Sequence, residues 1–258
     1  MSINVTLEQL VEAGAHYGHQ SKRWNPKMAE YLYGVRDGVH VFDLPKTLAK
    51  MEEAMNVIEE ASRNNKTILI IGTKKQAKEI VTKMSEEAGV YYISERWLGG
   101  TLTNFDQLLS SVRKLADLKD RFAKGAFAHL TKKERLLISR KIDKMEKTLS
   151  GIASLTKKPE LMIIIDTKKE FGAVREAKIV GIQTVGVVDT NADPNEVDFP
   201  IPMNDDAVNS VTLVMTAIRD AILKGKGKEA PKPEKVVKAK KEVKAKKEKK
   251  ETKEDVKN

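Results

Sequence analysis

The chain has no cysteine, which excludes disulfide frameworks, thiolate catalysis and cysteine-ligated zinc. Long apolar runs are missing too. The longest, such as Leu161 to Ile165, fall far short of the ~20 residues that a membrane span needs. Met1 to Gln20 has no basic stretch followed by an apolar run, so no secretory signal is expected. A soluble, cytoplasmic protein without a membrane partner is the expectation. Common enzyme signatures are also absent. No G-x-G-x-x-G follows a strand, and neither a G-x-S-x-G elbow nor H-E-x-x-H occurs. Gly72-Thr73-Lys74 sits where a phosphate loop would sit, yet the full loop motif is missing; backbone N–H groups there could still hold one RNA phosphate.

Charge is abundant but uneven. The formal net charge is +10. Residues 1–104 carry 13 bases and 13 acids, and residues 151–223 carry 7 bases and 11 acids. The excess therefore lies in residues 105–150, with 12 bases against 6 acids, and in residues 224–258, with 15 lysines against 7 acids. A near-neutral globule with two basic appendages suits a protein held against a polyanion. The acidic 151–223 segment suits a protein neighbour better than RNA.

Hydrophobic patterning predicts the fold class. Thr6-Leu7-Glu8-Gln9 reads as a capping box, and Val39 to Phe42 alternates like a strand. Thr67–Ile71, Val90–Ile93, Leu161–Ile165 and Thr184–Val188 read as strands, the last clear one being 184–188. Helical patterns over 46–63, 75–88, 173–180 and 205–223 interleave with them. Strands apolar on both faces, alternating with helices, predict an α/β doubly wound parallel sheet with helices on both faces. Residues 1–104 and 151–223 would form this one discontinuous domain, and the aromatic-free tail 224–258 is expected to be disordered.

Residues 105–150 break the rhythm. Leu108, Val112, Leu115, Leu118 and Phe122 lie on one helical face, and Ile138, Ile142, Met145, Leu149 and Ile152 have 4-3-4-3 spacing. Gly125 breaks the pattern, and Thr131-Lys132-Lys133-Glu134 is a capping box that restarts a helix. An inserted antiparallel coiled-coil hairpin is predicted, each arm about 30 Å long and therefore projecting. Its basic residues either solvate its outer face or form a binding arm; the charge imbalance favours the arm.

Two clusters are candidate sites. Asp166 and Asp189 each end a strand and Asn204-Asp205-Asp206 opens a helix, so these groups converge on one sheet edge. With His19 they would offer Mg²⁺ or Zn²⁺ a hard site with one imidazole. Alternatively Asp205 and Asp206 cap their helix and Asp189 starts a turn. His16 and His40 read as packing or turn residues and His129 as a surface residue. The second cluster is Ser94-Glu95-Arg96-Trp97-Leu98-Gly99-Gly100-Thr101-Leu102-Thr103-Asn104, with Lys22-Arg23-Trp24-Asn25 as its counterpart: charge, stacking surface and a Gly-Gly bend suit RNA.

His16-Tyr17-Gly18-His19-Gln20 through Trp24-Asn25-Pro26-Lys27-Met28 resembles the N-terminal signature of bacterial small-subunit ribosomal protein two. Ile71-Gly72-Thr73-Lys74, Arg96 through Asn104, Val188-Asp189-Thr190-Asn191, Pro200-Ile201-Pro202 and Asn204-Asp205-Asp206-Ala207 continue it in order. Ala192 stands where relatives vary, and the tail carries no family motif. The resemblance implies a flavodoxin-like domain with an inserted coiled-coil hairpin. It implies a place on the solvent side of the small (30S) subunit between head and body, contact with small-subunit rRNA, and help in docking ribosomal protein one. No cofactor is required and no homo-oligomer is expected, although some relatives hold zinc near residues matching His19, Asp189, Asp205 and Asp206. Phosphate contacts would fall to Lys22, Arg23, Lys74, Lys75 and Arg96 on loops and to Arg113, Lys114, Lys132, Lys133, Arg135 and Arg140 on the hairpin, beside Asn104. Trp24 and Trp97 would stack on bases or pack loop against loop. The rival expectation is a metal-dependent phosphotransfer or hydrolytic enzyme using Asp166, Asp189, Asp205 and Asp206.

Overall fold

Five short apolar strands build the central sheet. They are β4 (Ile68–Ile71), β5 (Tyr91–Ile93), β6 (Leu161–Ile165), β7 (Gln183–Val188) and β8 (Phe199–Pro202). The computed structural model describes residues 5–227; the tail expected to be disordered from 224 lies outside the described residues from 228 onward, but its first two residues, Lys224 and Gly225, belong to the last helix, Val208–Gly225. The strand order is β5-β4-β6-β7-β8, with every pair parallel. Ile70 lies beside Ile163, and Ile163 beside Val185.

Alternate residues of each strand feed opposite cores, which is why β6 is apolar throughout. Ile68, Ile70, Ile163, Ile165, Val185 and Ile201 pack with α2 (Leu44–Arg63), α3 (Lys78–Ala88) and α7 (Val208–Gly225). Leu69, Ile71, Met162, Ile164 and Val188 pack on the other face with α6 (Phe171–Val180), α4 (Phe105–Ala123) and α5 (Lys132–Leu149). The flavodoxin-like α/β class follows.

β8 was not legible as a strand. Pro200 and Pro202 argue against a central strand, but β8 is an edge strand, where a missing N–H costs no ladder bond on the open side. The N-terminal region also exceeds expectation. β1 (Tyr17–Gln20), β2 (Leu32–Arg36) and β3 (Val39–Phe42) form a second, antiparallel sheet in the order β1-β3-β2, following α1 (Leu7–Glu12). Polar β1 and glycine-containing β2 lack the alternation that marks a strand.

Gly18 brings β1 against the loop after β7. A Cβ there would press into the Thr190 side chain and lie 3.2 Å from the His40 carbonyl oxygen. Gly18→Val is therefore expected to destabilise the fold by about 2 kcal/mol through overpacking. Urea denaturation at equilibrium checks this; an unchanged midpoint would contradict it.

In the inserted segment, both capping-box bonds of Thr131 and Glu134 are present. Leu108, Leu115, Ile142 and Leu149 are buried in the same core as the second sheet face, and Val112, Leu118, Ile138 and Met145 are partly buried against it. Towards the turn at 124–131, Phe122, Leu136 and Leu137 are exposed. Lys119 Nζ meets Glu146 at 2.6 Å, linking the two helices.

Candidate functional site

The chain runs outward from β4 to β5 in one direction and from β6 through β8 in the other, so its switch point lies between β4 and β6. Open α/β sheets bind ligands in the crevice beyond the carboxyl ends of the strands at such a point. Here the chain's own side chains fill it. Lys74, three residues beyond β4, places Nζ 3.4 Å from Asp166, 2.7 Å from Asp205 and 2.6 Å from Asp206. Burial opposes the Lys74 charge, but these carboxylates outweigh it and hold the ammonium above its ordinary pKa. Lys74 thus departs from the expected phosphate contact: its side chain is only 15 % exposed and its charge is engaged.

His19 arrives from β1 and completes the cluster. Its backbone N–H donates to Thr190 Oγ1 at 2.8 Å. Nδ1 lies 3.0 Å from Asp189 Oδ1, and Nε2 lies 3.5 Å from Asp206 Oδ2 and 2.9 Å from Asn191 Nδ2. The hydrogen bond to Asp189 raises the His19 pKa against the effect of burial. Burial pushes Asp189 up, but His19 and the Thr190 N–H and hydroxyl hold it below its ordinary value. Burial first, then Asp189 and Asp166, push Asp205 up to about 8 despite the pull of Lys74.

Of the four expected metal ligands, three converge. One ligand atom each from His19, Asp189 and Asp206 lie within 4.8 Å of one another. Asp205 instead turns to Lys74. The capping alternative is corrected as well: α7 has Ala207 as its N-cap residue with no side-chain cap bond, while Asn204 Oδ1 accepts from the N–H groups of Asp206 and Ala207.

The basic residues are elsewhere and on the outside. Lys22 and Arg23, in a 3-10 turn, and Lys75 and Arg96 on loops are exposed, as are Arg113, Lys114, Lys132, Lys133, Arg135 and Arg140 on α4 and α5. Within the described residues none of these ten is in an ion pair, whereas Lys119, Arg121 and Lys124 of the same helical pair are. Asn104 is exposed and makes no side-chain cap bond at the start of α4.

The two tryptophans differ. Trp24 is 36 % exposed, its ring centroid 4.8 Å from that of buried His40. Its loop is pinned by Asn25 N–H donating to the Thr190 carbonyl at 2.7 Å and by the Lys27–Asp193 ion pair. Trp97 is partly buried, and its Nε1–H donates to Glu176 Oε1 at 3.0 Å. Glu176 was not singled out from the sequence. It lies 74 residues from Leu102 along the chain, and nothing local marks it.

Comparison with known proteins decides the family. The family model described as "Ribosomal protein S2" matches residues 10–225. The chain is 44 % identical over 222 residues to "Small ribosomal subunit protein uS2" of Coprothermobacter proteolyticus, covering 86 % of this chain and 83 % of the relative. It is 44 % identical over 226 residues to the protein of the same name from Chlorobaculum tepidum, covering 88 % and 91 %.

The chain belongs to the ribosomal protein S2 family.

The S2 match includes both helices of the inserted segment and the whole acidic cluster, and it ends where the lysine-rich tail begins. S2 relatives carry ribosomal names and not enzyme names, so the expectation of a protein without catalysis stands and the phosphotransfer rival has no support. The geometry agrees with that outcome for this S2 chain. A switch-point crevice occupied by the Lys74 ammonium leaves Asp166 and Asp205 paired with a resident charge. Among the described residues no helix is long and apolar enough to cross a membrane.

Proposed function

We propose that this S2 family member is a structural constituent of the small ribosomal subunit, bound to small-subunit rRNA between head and body and helping to dock ribosomal protein one. The observation that carries the reading is the set of ten exposed cations without acidic partners among the described residues, six of them on α4 and α5. Unpaired surface cations on one structured element are the footprint of phosphate contacts. In this reading α4 and α5 form an antiparallel coiled-coil arm whose base joins the second core. The arm and the loops carrying Lys22, Arg23, Lys75, Arg96 and Asn104 face RNA, and Trp24 supplies a stacking face. The net-negative 151–223 segment faces protein. The site of action is the cytoplasmic ribosome, and the chain works there as a single copy.

Sedimentation of lysate through sucrose at rising salt tests this. The chain should travel with the small subunit at moderate ionic strength and dissociate as salt rises, because phosphate contacts release counterions. Recovery only in the soluble fraction at every salt concentration would refute it.

A zinc ion is the accompanying proposal. His19, Asp189 and Asp206 offer one imidazole and two carboxylates, a set that zinc accepts and that is short of oxygens for magnesium. Asn191 Oδ1 is buried without a hydrogen-bond partner among the described residues, and its amide nitrogen lies 2.9 Å from His19 Nε2. Elemental analysis of purified protein should find about one zinc per chain, lost in Asp189→Asn and retained in Asp205→Asn, whose carboxyl faces Lys74. Equal zinc in wild type and Asp189→Asn would exclude the site.

A further inference from the structure

Both oxygens of Glu176 are saturated by one loop. Oε1 accepts from Trp97 Nε1–H at 3.0 Å and from the Gly100 N–H at 2.8 Å. Oε2 accepts from the Leu102 N–H at 2.9 Å and from the Thr103 N–H and hydroxyl at 3.2 Å each. Glu176 itself is 9 % exposed and is carried on α6, which packs on the sheet. The loop is further closed by Thr101 N–H and Asn104 N–H donating to the carbonyls of Leu98 and Gly100 at 3.0 and 2.8 Å. The indole lies against Gly172, one turn earlier on α6: a Cβ there would meet Trp97 Cδ1 at 3.6 Å, an ordinary contact.

This arrangement turns three backbone N–H groups inward, so they are not free to bind an anion outside. What the loop presents to solvent is the side chains at its two ends, exposed Arg96 before the indole and exposed Thr103 and Asn104 after the bend. A flexible loop would hold those groups in many arrangements. A buried carboxylate with five donors fixes them in one, and charge-assisted hydrogen bonds are the strong kind.

We infer that Glu176 is a positioning residue for RNA binding, holding loop 96–104 from behind so that Arg96 and Asn104 meet the nucleic acid in a fixed geometry. The inference rests on the RNA-binding reading above and names the residue behind the surface. Glu176 touches no RNA; it acts through the loop.

The test is a double-mutant cycle with the full chain and full-length small-subunit rRNA in a filter-binding assay. Glu176→Ala is expected to weaken binding about tenfold, the scale set by losing charged hydrogen bonds. In an Arg96→Ala background it should add little, because the contact it positions is gone. Hydrogen exchange should show lost protection at the amides of Gly100, Leu102 and Thr103, with the amides of β6 unchanged. If Glu176→Ala does not fold, Glu176→Gln, which keeps one acceptor oxygen, provides the cycle with a smaller loss. Wild-type affinity in these variants, or a loss that multiplies fully with that of Arg96→Ala, would overturn the inference while leaving RNA binding intact. A wild-type chain that fails to bind the rRNA would overturn the RNA reading, and the inference with it.

Discussion

At pH ~9, above the value of about 8 to which burial pushes Asp205, Lys74→Met should lower the thermal midpoint by about 10 °C. The substitution keeps the aliphatic stem and removes only the ammonium. Asp205, whose side chain is 2 % exposed, then faces Asp166 and Asp206 without the cation that neutralises them. Removing one partner of a buried pair costs about 3–5 kcal/mol because the remaining charge is left without compensation. For a domain of this size each kcal/mol moves the midpoint by about 2–4 °C. The same cluster sets a pH dependence. Asp205, pushed up to about 8 by burial, binds a proton in the folded state that the unfolded chain releases near pH ~4. Its contribution is greatest below that point and declines as pH rises towards its folded value. His19, raised chiefly by Asp189, contributes fully below its unfolded value and loses that contribution as pH rises through the folded one. Asp189, held low, acts in the opposite sense and loses its contribution only in acid. In chelator the midpoint should therefore be higher near pH ~6 than near pH ~9, and Lys74→Met should gain stability on acidification more steeply than wild type. Differential scanning calorimetry across that range checks both; a flat profile would contradict the assignment.

Neutralising Arg113, Lys114, Lys132, Lys133, Arg135 and Arg140 with glutamine should reduce affinity for small-subunit rRNA by about a thousandfold or more at physiological salt. If all six meet phosphate, the slope of log K against log salt should also fall by about 0.7–0.9 for each contact removed. The fold should survive, because all six are exposed and none is ion-paired within the described residues, and surface changes of this kind usually cost about 0.5 kcal/mol or less. Truncation after residue 227, which leaves α7 whole, provides the comparison. It removes 13 lysines and 7 acids, the same net positive charge as residues 105–150 carry. A lysine-rich segment without aromatic residues supplies sequence-independent attraction, so its loss should weaken binding to this rRNA and to an unrelated RNA by the same factor. Equal selectivity loss from both variants would show that α4 and α5 supply only a second electrostatic tether.

Much of the scaffold was legible because apolar patterning dictates it. The run Leu161–Ile165 had to be a strand buried on both faces, and β6 spans those residues. Thr131 and Glu134 announced the start of α5, and Thr6 and Gln9 that of α1, because a capping box is a local bargain between residues three apart. β8 was hidden by its prolines, and β1 by polar residues whose pairing with β3 depends on residues beyond the turn. The metal set was legible as a group of acids at one sheet edge, but not its division. Sequence order alone could not say that Asp206 would face His19 as well as Lys74, or that Asp205 would turn to Lys74 alone.

The sequence by itself determined the alternation of strand and helix, the uneven placement of charge and the family, since each is written in consecutive residues. Tertiary structure alone decided which charges remain available. Lys74 and Lys75 are neighbours in the chain, yet one is engaged by three carboxylates at the switch point and the other stands exposed. Trp24 and Trp97 look equivalent in sequence, yet one is 36 % exposed beside His40 and the other is tied to Glu176. The physical reason is common to both pairs. A side chain's charge or ring acts on a partner only after the groups that folding brings within about 3 Å of it have taken their share, and those groups come from elements far apart in the chain.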